Sequence, residues 1–376
     1  MRSSRSPLRL AALSIVGIFA AACTASGTPS PAPTAAPTSG SPGSSAPASA
    51  APKGELPKPE ITTLRFGVSA ASENSQFAAA NAMMSKIFDK YGITATVTGF
   101  EGEGRVVAAM QAGQIDIGIA SPASTMSSQL TDVPLAVIAV AAGFLTDDLV
   151  CTSNIRTAAD VKGKRIAIST FGGVSHASAL LSLKALQMPA ADVQITQVGG
   201  QTARVAAVKG GSVECAVVDK SIQPQMVAEG LNIVAKVYEP PQAFARSSTS
   251  VRRDFLEQNP NTVLVALAAV LEGQNLFWTD TAGTTQRFVE WTQSDAAKAT
   301  PVIQDFLNVG NRSMMWTDEV FTNAQKVVVA INPDIIDVDI QKAQDKTVLQ
   351  KLLDIGFYEK IGNPATCREW TPTRSC

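Results

Sequence analysis

One order of elements (strand, loop, helix, strand, helix, strand) runs through residues 64–119 and returns at 165–218. In the first copy an apolar run at 64–68 precedes Phe77, Ala80, Met84, Ile87 and Phe88 at helical spacing. Residues 93–100 then alternate as a strand, Val106, Val107 and Met110 mark a helix ended by Gly113, and Ile115, Ile117 and Ile119 mark a third strand. In the second copy the strands are 165–169, 193–198 and 213–218, with helices around Leu180, Leu183 and Met188 and at 205–208. Gly102, Val107, Ala108, Ala109 and Gly113 match Gly200, Val205, Ala206, Ala207 and Gly211 at an offset of 98, and Ser69 and Ser75 match Ser169 and Ser175 at 100. Strands alternating with short helices imply βαβ units and a mainly parallel sheet. Two such halves would set strand carboxyl ends and helix N-termini against each other across a cleft, where ligands of open α/β sheets bind.

The N-terminal part is of another kind. Arg2, Arg5 and Arg9 precede an apolar run at 10–22, too short to span a bilayer as a stable helix, and small residues lead to Cys23. This resembles a bacterial lipoprotein signal over residues 1–22, with Cys23 the lipidated first residue, although Ala20 stands where leucine is usual. Residues 23–60 are dominated by Ala, Pro, Ser, Thr and Gly and read as a disordered tether, with a coil reach of roughly 35 Å. The expected place is the outer face of the cell membrane.

Composition removes other classes. A net charge of −1 gives no general pull toward nucleic acid. A single histidine, His176, argues against histidine-rich metal sites and Ser-His-Asp catalysis. No metal and no cofactor is expected. Cys367 and Cys376 are close enough in the tail to form a disulfide. Cys151 and Cys215 lie in apolar runs and are either buried thiols or bridged, which the residues leave open.

Five segments carry a resemblance: 64–68 (LRFGV), 108–118 (AAMQAGQIDIG), 159–167 (ADVKGKRIA), 207–218 (AVKGGSVECAVV) and 255–260 (FLEQNP). In order and spacing they resemble the type II periplasmic substrate-binding proteins of ABC transporters, in the branch associated with nitrate, sulfonate, taurine and thiamine-pyrimidine uptake. The resemblance covers roughly 62–330. It implies a two-lobed α/β fold, with lobe 1 from 61–148 plus 246–376, lobe 2 from 149–245, and two hinge crossovers near 147–152 and 244–250. Within the C-terminal helices Thr262 is a plausible N-cap after Pro260. The implied function is capture of a small solute by hinge closure, in a monomer that delivers it to a membrane permease. An exported ligand sensor is the alternative. An enzyme of the pyrimidine-precursor-synthase type is disfavoured, because those proteins carry a cysteine-rich motif and several histidines.

The expected ligand contacts lie in the strand-to-helix loops. In the first half they are Ser69, Ser72, Glu73, Asn74, Glu101 and Ser121, several of which would also serve as helix caps. In the second they are Phe171, Gly172, Gly173, Ser175, His176 and Asp219. Gly172 and Gly173 allow close backbone approach, and Phe171 and His176 offer a ring face and a hydrogen bond. Lys220 offers Asp219 an ion-pair partner in place of a ligand. Aromatic and carboxylate groups favour a nitrogen-containing ring, while serines and helix N-termini suit a sulfonate, taurine or nitrate.

Overall fold

The computed structural model describes residues 54–237 and 243–364. The expected signal, Cys23, Cys367 and Cys376 lie outside them. Among the described residues ten strands form two five-stranded sheets. The first holds β1 (Thr63–Val68), β2 (Thr94–Gly99), β3 (Ile117–Ala120), β4 (Leu135–Phe144) and β10 (Ala243–Arg252) in the order β2-β1-β3-β10-β4. The second holds β5 (Asp147–Cys151), β6 (Arg165–Ile168), β7 (Gln194–Gln197), β8 (Cys215–Asp219) and β9 (Asn232–Lys236) in the order β7-β6-β8-β5-β9. In each sheet only the fourth strand, β10 or β5, runs against its neighbours. The chain enters the second sheet between β4 and β5 and returns between β9 and β10, so each lobe is one mixed, mainly parallel sheet with its flanking helices. The spans 147–152 and 244–250, expected as crossovers, fall largely in strands β5 and β10.

The repeat extends to side chains. Arg65 donates from its main-chain N and Nε to one oxygen of Asp116 at 2.9 and 3.1 Å and from Nη2 to the other at 2.6 Å. Arg165 makes the same three bonds to Glu214 at 2.9, 3.1 and 2.6 Å. Each fork pins the start of a first strand to the turn before a third, which is where bidentate geometry adds positional definition.

We number the helices of six residues or more. Among those that reach the lobe boundary are α2 (Glu103–Gln111), α4 (Val174–Ala185), α5 (Gln201–Lys209) and α6 (Gln223–Ala228). Before and between them come α1 (Ala78–Met84) and α3 (Pro122–Ser127). The C-terminal part supplies α7 (Arg253–Gln258), α8 (Pro260–Thr279), α9 (Thr281–Thr292), α10 (Ala296–Val309), α11 (Glu319–Val328) and α12 (Thr347–Asp354). Helix α8 is long and apolar enough to cross a bilayer, yet 78% of its most apolar stretch is buried inside the protein, as befits a core helix. Thr262 is not its N-cap. Asn259 holds that position, and the Glu60 carboxylate accepts the N–H groups of Asn261 and Thr262 at 3.0 and 2.6 Å. A carboxylate from a distant segment thus answers the orphan donors of this helix start.

Strand β4 is apolar and entirely buried. Its partner β10 is almost as buried but reads Ala-Phe-Ala-Arg-Ser-Ser-Thr-Ser-Val-Arg. Its three serine hydroxyls find internal partners: Ser247 donates to the Ser75 carbonyl and Ser248 to the Ala120 carbonyl, both at 2.8 Å, and Ser250 pairs with Thr125 at 3.2 Å, while the buried Thr249 hydroxyl has none among the described residues. In the second lobe Cys151 and Cys215, directly opposite on β5 and β8, form a disulfide. That settles in favour of a bridge what the residues alone left open.

Candidate functional site

The loops after β1, β2, β6 and β7 converge with the two crossing strands on a cavity of about 20 Å³, room for roughly one water molecule. Ser69, Glu73, Glu103, Ser175, Arg204 and Arg246 are among its walls. Lobe 1 and lobe 2 are in contact around it, so its walls are closed together.

Arg246 is the hub. It projects from β10 where pairing with β4 shifts register between Ala243 and Ser247. It is 3% exposed. Its guanidinium lies 3.1 Å from Glu73, 2.9 Å from Asp219 and 3.6 Å from Asp147, and Nη1 donates to Ser75 at 2.7 Å. Burial opposes its charge, but Asp219, Glu73 and Asp147 together hold its pKa above the ordinary arginine value. Glu73 is itself pushed up to about 7, chiefly by burial, with Arg246 opposing. Asp219 is further fixed by the hydroxyls of Thr146 and Ser221.

Two other carboxylates cross from lobe 1 to helix starts of lobe 2. Glu103 Oε2 accepts the N–H of Val174, first residue of α4, at 3.0 Å, and the hydroxyls of Ser121 and Ser124 at 2.7 Å each. Burial raises its pKa, partly offset by those three donors. Glu101 accepts the N–H of Gly200, the cap of α5, at 2.9 Å. The starts of α4 and α5 thus each give an N–H to a carboxylate of lobe 1. The seam is close. A Cβ on Gly102, whose φ is +124°, would lie 2.5 Å from Thr170 Cγ2 across it. At one side Lys220 pairs with Asp305 of α10 at 3.3 Å rather than with Asp219.

Of the expected contacts, the fold brings Ser69, Glu73, Glu101, Ser121, Gly173, Ser175 and Asp219 together here. Ser175 bonds Ser169 at 2.7 Å, the counterpart of the Ser69–Gln76 pair at 3.0 Å in the first lobe. The others are elsewhere. Asn74 donates to the Val302 carbonyl at 2.8 Å. Ser72 lines a neighbouring pocket. Phe171 is 56% exposed and stands edge-on to His176. His176 accepts the Gly172 N–H on Nδ1 at 3.2 Å, and burial lowers its pKa. Residue reading missed Glu103, Asp147, Arg204 and Arg246. Two of them carried a signal, charge inside otherwise uncharged stretches: Arg246 among Ala, Phe and Ser, and Asp147 beside Asp148 between apolar runs.

Two like lobes, two crossing strands and a cleft between strand ends define a periplasmic-binding-protein fold. Residues 87–280 match the family model described as NMT1/THI5 like, and the chain belongs to that family. A protein of Bordetella bronchiseptica RB50 superposes with a TM-score of 0.70 at 16% identity, over 82% of this chain and all (100%) of that one. The periplasmic nitrate-binding protein NrtA of Synechocystis PCC 6803 gives 0.66 at 17%, over 85% and 94%. The periplasmic aliphatic sulphonate-binding protein SsuA of Escherichia coli gives 0.58 at 18%, over 75% and 92%. At such identities the likeness carries the fold. No curated protein matches the chain.

Proposed function

We propose that this chain is the solute-binding component of an import system, exported and held at the outer face of the cell membrane through Cys23, and that it closes its lobes on a nitrogen-containing ring compound. It acts as a non-catalytic monomer that hands the solute to a permease. Membership of the NMT1/THI5-like family and the two-lobed fold support solute binding. The Cys151–Cys215 disulfide fits an oxidising compartment. The chain's one histidine is engaged within its own loop, which favours a binder over an enzyme.

The ligand class rests on one observation: the cleft holds more acid than base. Glu73, Glu103 and Asp147 line it with Arg204 and Arg246, and Asp219 joins them through Arg246. Both arginines are committed, Arg246 to carboxylates and Arg204 to the carbonyls of Val217 and Gly199 at 2.9 Å each. An oxyanion entering here would meet four carboxyl groups, with both arginines already engaged. A ring nitrogen or amino group that donates N–H would find carboxyl acceptors, and a buried anion without a free donor is costly. Small-angle scattering of the mature chain with a panel of aminopyrimidines and ring amines tests the reading. Binding should lower the radius of gyration and raise the melting temperature together. No change in either with any compound would overturn it.

A further inference from the structure

Beside the charged cleft lies a second cavity of about 320 Å³, lined by none of the same residues. Val205 of α5 and Met226 of α6 form its lobe 2 wall, and Phe288 of α9 with Ala299 and Val302 of α10 its lobe 1 wall. Ser72 and Gln201 border it where Glu73 and Gly200 border the cleft, so the two spaces lie on opposite sides of one seam. Its size falls within the range of small-molecule sites, which are mostly apolar with few polar groups. The two lysines at its edge are neutralised: Lys209 pairs with Glu229, and Lys298 with Asp295 at 2.9 Å. The rim thus offers no unmatched charge to an ion.

We propose that this pocket binds an uncharged aromatic or alicyclic ring, and that its occupancy favours the closed lobes. The walls come from both lobes, so a ligand bridging them interacts with the closed arrangement and loses those contacts when the lobes part. The inference rests on the lobe-closure reading above but names a separate site.

The neutral dye N-phenyl-1-naphthylamine is a suitable probe. Titrated into the mature chain, it should show saturable one-to-one fluorescence enhancement. Val205→Trp, which fills the cavity, should weaken that binding at least tenfold. Thr202→Trp does the same from an exposed rim position and guards against misfolding of the first variant. Absence of saturable binding, or equal affinity in Thr202→Trp with an unchanged melting curve, would overturn the pocket. If ring amines stabilise the chain while both variants bind the dye like wild type, the pocket fails and the solute-binding reading stands. If the dye binds and the variants lose it while no solute alters scattering or melting, the pocket stands and that reading fails.

Discussion

Glu103 of one lobe accepts the N–H of Val174 in the other at 3.0 Å, through the oxygen that also receives Ser121 and Ser124. One carboxylate thereby joins the start of α2 to the start of α4 across the cleft. Hydrogen bonds to a charged group contribute about 1.5–3 kcal/mol. Glu103→Ala should therefore speed hydrogen exchange of the Val174 amide by at least tenfold, because a factor of ten needs only about 1.4 kcal/mol. Unchanged protection would mean the lobes are held together by other contacts.

Arg246 holds three buried carboxylates in mutual reach. Replacing it with methionine leaves Glu73, Asp147 and Asp219 without their common counter-charge. The expected loss of stability is about 3–5 kcal/mol, the cost of breaking a buried charge pair from one side. Adding Asp219→Asn to Arg246→Met should recover part of it. Chemical denaturation measures both, and a double variant no more stable than the single would contradict the charge account.

Burial lifts Glu73 to about 7 and raises Glu103 and Asp305. Between pH 4.5 and 7 folded Glu73 keeps a proton that the unfolded chain has released, so it makes stability fall as pH rises through that window, and Glu103 and Asp305 act in the same direction. Glu214, held at about 2 by Arg165, contributes stability above pH 4.5 that is lost as pH falls toward 2. His176, lowered by burial, also loses stability for the fold as pH drops below 6.5. The difference between wild type and Glu73→Gln isolates the first effect. Across pH 4.5–7 the variant's stability should fall less steeply, and parallel curves would refute the assignment.

The Cys151–Cys215 bridge closes a loop of 64 residues within lobe 2. Loss of a cross-link of this kind costs about 2–4 kcal/mol. Cys151→Ala with Cys215→Ala, compared by denaturant unfolding, should show a lowered midpoint. Equal midpoints under oxidising conditions would indicate that the pair contributes nothing.

Much of the fold was legible because its parallel strands are apolar runs joined by helices that end in glycine. Gly102 and Gly200 announced the repeat, and both are helix caps. Strand β10 was not legible: Arg246, Ser247 and Ser248 have the composition of a loop, and only tertiary hydrogen bonding lets their side chains be buried. Asn74 illustrates the opposite error. It suits a ligand by type, but the packing of α10 supplies its partner, and that neighbour lies 228 residues away in sequence. Glu103 resembled any acidic first-turn residue until the second lobe placed the N-terminus of α4 against it.

The most direct test is calorimetric titration of the mature chain with aminopyrimidines and protonated ring amines, set against alkanesulfonates and nitrate. The account predicts binding by a nitrogenous compound, weakened at least tenfold in Asp219→Asn, where one buried negative charge is removed, and no heat from sulfonate or nitrate. Binding of sulfonate or nitrate, with none of the nitrogenous compounds bound, would contradict it.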